Sequence, residues 1–196
     1  GNLFIALMLT MVACLILGMG LPTAATYVVL ITIVGPALTN MGVPILAAHM
    51  FVFYYGVVAD ITPPVALAAY AASGIAGGNT FKTGVLATGI AMGGFVIPYV
   101  FVFAPAMLID IHNGVFNGLL AAAPVFLSAL LGVFMMSAFV TNYLKARCLW
   151  YERLILLIGA IGLIIPGLRT DLTGLACLIV VFMLQSMRIK KGAIIA

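Results

Sequence analysis

The sequence predicts an all-α polytopic membrane protein, built from a re-entrant helical hairpin, a broken transmembrane helix and further transmembrane helices. Three observations lead there. Of 196 residues 66% are hydrophobic and only 6% are charged, whereas a soluble domain carries roughly 25% charged residues to meet water. No Asp, Glu, Lys or Arg occurs in the first 59 positions, a stretch long enough to cross a bilayer more than once at about 20 apolar residues per span. The apolar runs are interrupted by Gly and Pro clusters rather than by charged loops. A secreted, cytosolic or nucleic-acid-binding protein is excluded on these grounds. The net charge of +4 is no nucleic-acid patch, because seven of the eight basic residues fall at Lys82, at Lys145/Arg147/Arg153 and in the tail Arg188/Lys190/Lys191. Basic clusters between apolar runs mark cytoplasmic loops.

The chain opens on Gly1 within an apolar run and has no basic n-region. That is no signal peptide, and the expectation is the C-terminal part of a longer polypeptide. Leu3 to Leu17 forms the first apolar arm, ending at Gly18-Met19-Gly20-Leu21-Pro22-Thr23. A second arm runs from about Ala24 to Leu38 and is broken near its end by Gly35-Pro36. Each arm is about 22 Å long at ~1.5 Å per residue, short of a ~30 Å hydrocarbon core. Two short arms around an uncharged tip predict a re-entrant hairpin over about 3–38; two short or tilted spans are the plainer alternative.

After a turn at Thr39 to Pro44, a helix is expected from Ile45 to Ala59, stopped by Asp60-Ile61-Thr62-Pro63-Pro64 and resuming through about residue 77. Consecutive prolines remove two donors and disfavour helix before each. Such a break leaves free carbonyls and N–H groups, which lipid does not tolerate, so it must lie inside protein or line a polar cavity. Gly77-Gly78-Asn79 and Lys82 read as a loop, Gly74-Gly77-Gly78 as a close helix contact. One helix is expected over about 83–109, closed by Asp110 and His112. Spans then follow at about 115–141, 154–168 and 172–187, the last two short and separated by Arg169-Thr170-Asp171. Trp150 and Tyr151 belong at a membrane interface. Threading these spans alternately places seven basic residues inside and Arg169 outside.

Asp60 is the only acidic residue before position 110 and no Lys or Arg precedes it. An ionisable group at membrane depth is a functional-site hypothesis by default. A cation, or a proton on the carboxyl, is its simplest partner, and capping of the second half-helix is the structural alternative. The Gly18 and Gly20 backbone, Asp60, Thr62 and Pro63 are the candidate cation site, with sodium, a hard ion that prefers oxygen, as coupling ion. Thr23, Thr26 and Tyr55 are the candidate substrate contacts, helped by the N–H groups at the start of the second arm. Two interrupted elements in succession are the sequence pointer to a midplane site in a secondary transporter. His49 reads as a hydrogen-bonded helix histidine, His112 as interfacial, and Cys14, Cys148 and Cys177 as small apolar residues. No nucleophile–base pair, metal cluster or phosphate loop is visible, so no enzyme chemistry and no cofactor are expected.

Gly18-Met19-Gly20-Leu21-Pro22-Thr23, Asn40-Met41-Gly42-Val43, Ala59 to Ala68 and Ala71-Ala72-Ser73-Gly74-Ile75-Ala76-Gly77 together resemble the large membrane subunit of tripartite ATP-independent periplasmic (TRAP) transporters. The likeness is greatest to fused permeases that serve a TAXI-type solute receptor. It covers Leu3 to Asp110, so that residues 1–113 correspond to the second repeat of the transport module and 114–196 to a C-terminal membrane extension. The resemblance implies the second half of an inverted-repeat elevator transporter in a bacterial or archaeal inner membrane, importing an organic acid such as a dicarboxylate with sodium. Its implied partners are a periplasmic TAXI-type binding protein and the N-terminal remainder of the permease with a small four-helix module. Dicarboxylate-type members carry Gly where this chain has Asp60 and Ala66; an acid there disfavours a dianion unless sodium screens it, and in TAXI-like members the Asp is usual. A proton-coupled carrier and a non-transporting membrane scaffold are the other functions weighed.

Overall fold

A computed structural model describes residues 2–108, 115–165 and 167–190. All regular structure among them is helical, apart from one isolated bridge between Tyr143 and Arg147. Asp110 and His112 lie outside the described residues. The chain divides into two compact units between Ala91 and Met92.

The first unit begins with α1 (Leu3–Gly18), whose first turn is capped by the Asn2 side chain accepting from the Phe4 N–H. Helix α2 (Thr23–Asn40) follows, then α3 (Ile45–Ala59), α4 (Leu67–Ala76) and α5 (Thr80–Ala91). Helix α3 packs against both α1 and α2, and α4 against α5. Leu7, Cys14, Leu30, Ala47, Ala48, Phe51, Val52 and Tyr55 are fully buried where the first three helices meet. Their outer faces stay apolar, with Phe4, Leu9, Ile16, Val28 and Ile33 exposed. An apolar outside around an apolar core suits a helix that meets lipid or further protein rather than water.

Three expectations are corrected in this unit. Gly35-Pro36 does not break the second arm: α2 runs on to Asn40 with Pro36 inside it. Pro36 removes one bond, the one the Thr32 carbonyl would accept, and the helix absorbs that loss; Thr39 Oγ1 separately donates to the carbonyls of Gly35 and Pro36, 3.1 Å each. Lys82 is not in a loop but in the first turn of α5, where Asn79 Oδ1 accepts from its N–H at 2.9 Å. Gly74 and Gly77 make no close helix contact; Gly77 instead ends α4 in the left-handed conformation at φ +67°, which glycine adopts without a Cβ penalty.

The second unit starts with a 3₁₀ turn (Gly94–Val96), α6 (Ile97–Phe103) and another 3₁₀ turn (Pro105–Leu108). The single helix expected over 83–109 is therefore a chain of short pieces. Gly93-Gly94 weakens the helix, and Pro98 is accommodated only at the start of the next one, since a proline belongs in a first turn. Helix α7 (Val115–Thr141) is followed by α8 (Trp150–Ile164) and α9 (Leu168–Lys190). Helix α8 packs against α7 and α9 around Met135, Leu156, Ala160, Leu163 and Val181. Arg169, Thr170 and Asp171 do not separate two spans; they lie in the first turn of α9, where an acidic residue meets the positive end of the helix dipole. By length and composition α2, α7 and most of α9 can each cross a membrane, and α5 through Phe103 would be a fourth as one broken span.

Candidate functional site

Helix α1 stops at Gly18 because Gly20 sits at φ +83° and Pro22 follows, so the chain turns and re-enters helix at Thr23. The turn lies against the end of α3. Gly18 is buried, and a Cβ placed on it would stand 2.8 Å from Ala59 Cβ and 3.2 Å from Thr26 Cγ2. Only a glycine allows that approach. Thr23, the first residue of α2, donates from its hydroxyl to Asp60 Oδ2 at 3.1 Å. The hairpin tip and the break after α3, 37 positions apart in sequence, thus meet through one polar contact. Asp60 and Thr23 are both half-buried there.

Backbone accounting narrows the expectation of bare carbonyls, since several at the tip and the break already accept hydrogen bonds. At the tip, Gly18 O accepts from Leu21 N at 3.5 Å and Leu21 O from Thr26 Oγ1 at 3.5 Å. At the break, Thr62 Oγ1 donates to Val58 O at 2.8 Å, and Ala59 O accepts from Thr62 N at 3.1 Å. Asp60 O accepts from Ala68 N at 3.0 Å, and Thr62 O from Ala66 N at 3.1 Å. Ile61 O accepts from Thr88 Oγ1 of α5 at 3.0 Å, and Pro64 O from Tyr70 OH at 2.8 Å. The Pro63–Pro64 peptide is cis, and Ala66 enters α4 at φ +36°. Each of these carbonyls has its first lone pair used and a second in reserve. The break is therefore braced from within, and at these carbonyls an ion would be a second partner rather than the first.

Helix α4 has no side-chain cap, so the Asp60 carboxylate is not spent on capping. Its backbone carbonyl links to α4 while its side chain turns to Thr23. The ion pair found among the described residues, Arg188 with Glu152, lies in the other unit. Asp60 thus accepts from a neutral hydroxyl. No group of three His, Cys, Asp or Glu side chains gathers among the described residues. The oxygens near Asp60 come from a carboxylate, hydroxyls and peptide carbonyls, the donor set that suits a hard cation.

Other candidates are placed differently. Thr26 is buried, and its methyl packs towards Gly18 and Gly56. Tyr55 is fully buried, its ring edge-on to Phe51 and Tyr54. His49 is the hydrogen-bonded helix histidine its surroundings predicted: Nδ1 stands 2.6 Å from Tyr27 OH and joins α3 to α2. Thr88 and Tyr70 brace the break and were not singled out from sequence. The signal was present in Gly84 and Thr88, one turn apart on α5. Gly84 admits Tyr70 and Pro63 to close approach while Thr88 reaches Ile61 O.

Over residues 1–115 the sequence matches the family model of the tripartite ATP-independent periplasmic transporter, DctM component. The chain belongs to this family. The match agrees with the resemblance carried by the tip and break motifs, and it contains all of the first unit and the start of the second. DctM proteins are transport permeases rather than enzymes, and they work with a periplasmic binding protein and a small membrane component. No curated protein and no solved structure matches the chain. The matched residues include the two interrupted elements that Thr23 and Asp60 join.

Proposed function

We propose that the chain forms one half of the transport site of a sodium-coupled permease that imports an organic acid delivered by a TAXI-type periplasmic binding protein. The observation that carries this reading is the hydrogen bond from Thr23 to Asp60, because it joins the tip of one interrupted element to the break of the other. Sodium is the coupling ion, held by the Asp60 carboxylate with the Thr62 hydroxyl oxygen and peptide carbonyls around Gly18, Gly20 and Pro63. With Asp60 compensated by the ion, the site tolerates an anionic substrate at the start of α2. Thr23 and the first amides of α2, which has no side-chain cap, are the groups to meet a carboxylate. Thr26 and Tyr55 act from behind by fixing the hairpin and α3.

In this reading α1 and α2 enter and leave from the periplasmic side, and α3 with α4 crosses the bilayer as one broken helix. The uncharged tip supports the re-entrant arrangement. Uptake by proteoliposomes holding the full-length permease tests the proposal, with a pool of labelled organic acids, the binding protein, and an inward sodium gradient present or absent. Uptake that requires both sodium and the binding protein is expected. Uptake that follows a pH gradient alone would replace sodium by a proton on Asp60. Absence of uptake by folded protein under any gradient would favour a scaffold, in which both breaks are packing kinks.

A further inference from the structure

The second unit carries an open groove of about 890 Å³ that the transport site does not use. Its walls are apolar: Phe134 of α7 on one side, and Leu178, Phe182 and Met183 along α9 on the other. One end is different. Lys145, in the segment between α7 and α8, places Nζ 4.6 Å from the centroid of the Phe182 ring and donates to Ser186 Oγ at 3.1 Å. Its backbone is pinned, since the N–H groups of Lys145 and Ala146 both donate to Gln185 Oε1, at 3.0 and 3.1 Å. Gln185 is fully buried and donates in turn to Glu152 Oε2 and Cys148 Sγ. The cation is thus held over the groove by a buried polar network rather than left on a free loop.

We propose that this groove binds an anionic phospholipid, with an acyl chain along α9 and the phosphate at Lys145. Four observations choose this occupant. Among the described residues Lys145 is the only charged one lining the groove, and the carboxylate nearby, Glu152, is buried and answered by Arg188 at 3.4 Å. Arg147 adds a second exposed cation beside it. Exposed Trp150 and Tyr151 lie just beyond, and those rings favour the headgroup level of a bilayer. From Ser186 back to Leu178 the groove descends about 12 Å along the helix, the direction an acyl chain takes below its headgroup. A second copy of the chain would bring no carboxylate from this face to Lys145, since no acidic side chain among the described residues lines the groove.

Native mass spectrometry of the full-length permease tests this, with phosphatidylglycerol and phosphatidylcholine titrated separately onto detergent-purified protein. Wild type is expected to retain phosphatidylglycerol about fivefold better, the factor that one lysine near an anionic headgroup contributes. Lys145→Gln should remove that preference while the protein stays monodisperse, and Lys145→Arg should keep it. Equal retention of the two lipids by wild type, or an unchanged preference in Lys145→Gln, would overturn the proposal. Displacement of the lipid by inorganic phosphate would overturn the lipid as source of the anion. A disulfide-linked dimer of Met183→Cys in vesicles would overturn it in favour of a second copy.

Discussion

Asp60 accepts from Thr23 through one carboxylate oxygen, so Asp60→Asn leaves a carbonyl acceptor in place and removes only the charge. We expect that variant to fold and to lose much of the sodium dependence of uptake, read as a raised sodium concentration for half-maximal transport; an unchanged value would remove Asp60 from the coupling site. A second residue-scale prediction concerns Ala66, which is fully buried at φ +36° and ψ +48°. That conformation costs an L-residue with a Cβ roughly 1–2 kcal/mol, against roughly 0.5–1 for the extra chain entropy of glycine. Ala66→Gly should therefore stabilise the permease by up to about 1.5 kcal/mol, seen as a higher unfolding midpoint in detergent. A lower midpoint would mean that the Ala66 methyl, packed towards Gly84, outweighs the strain.

At the scale of elements, α8 and α9 approach through glycines. A Cβ on Gly159 would stand 2.7 Å from Cys177 Cβ and would also collide with Met135, and one on Gly174 would stand 2.9 Å from Gly159 O. The same helices are tied at the other end by Glu152, which is 1% exposed and accepts from Leu149 N at 2.9 Å, Gln185 Nε2 at 3.0 Å and Arg188. Glu152→Ala strands these donors and is expected to cost about 3 kcal/mol. Glu152→Gln keeps an acceptor and should cost less; equal losses in unfolding midpoint would show that the pairing is not what holds α8 to α9. Burial also holds the neighbouring Cys148 thiol above its ordinary range, which keeps it protonated and unreactive near neutral pH.

These elements show what a sequence discloses. The ends of α1, α3 and α4 were legible because Gly20, Pro22, Pro63-Pro64 and Gly77 act locally, through φ and missing donors. Pro36 misled because a proline costs a helix one hydrogen bond, a loss that α2 absorbs four residues before its end. Asp60 stood out as a lone charge, but its partner Thr23 and the brace from Thr88 depend on contacts 37 and 27 positions away. Gln185 gave no signal at all, since a glutamine in an apolar run reveals its hydrogen-bonding neighbours only once α9 lies beside the 142–149 segment.

For the whole molecule, the decisive quantity is the side of the membrane on which each basic residue lies. Retention of Lys and Arg in the cytoplasm sets orientation when they lie close to span ends, and Lys82, Lys145, Arg147, Arg153 and Arg188 all lie within or beside a helix terminus. A hairpin entering from outside, one broken crossing through α3 and α4, and alternation thereafter put all five on the cytoplasmic side and Arg169 opposite. If α1 and α2 each spanned the membrane instead, Asn2 and Asn40 would still share the outer face, and only the tip would move, out into the cytoplasm. The tip therefore discriminates between the two arrangements. In single-cysteine variants of the full-length permease, Arg169→Cys should react with a membrane-impermeant maleimide from outside intact cells, while Lys82→Cys and Lys145→Cys react only after permeabilisation. Asn2→Cys and Asn40→Cys should both be labelled from outside, and opposite faces for these two would mean that only one of the helices crosses. Leu21→Cys, at the depth of the Asp60 break in a re-entrant hairpin, should react far more slowly in permeabilised cells than Lys82→Cys. A rate equal to that of Lys82→Cys would place the tip in the cytoplasm, and the Thr23–Asp60 contact would then lie at the membrane surface rather than at a midplane site. Protection of all three basic positions from outside would mean that α8 does not carry Arg169 across the membrane, and would leave the Lys145 groove in the cytoplasmic leaflet.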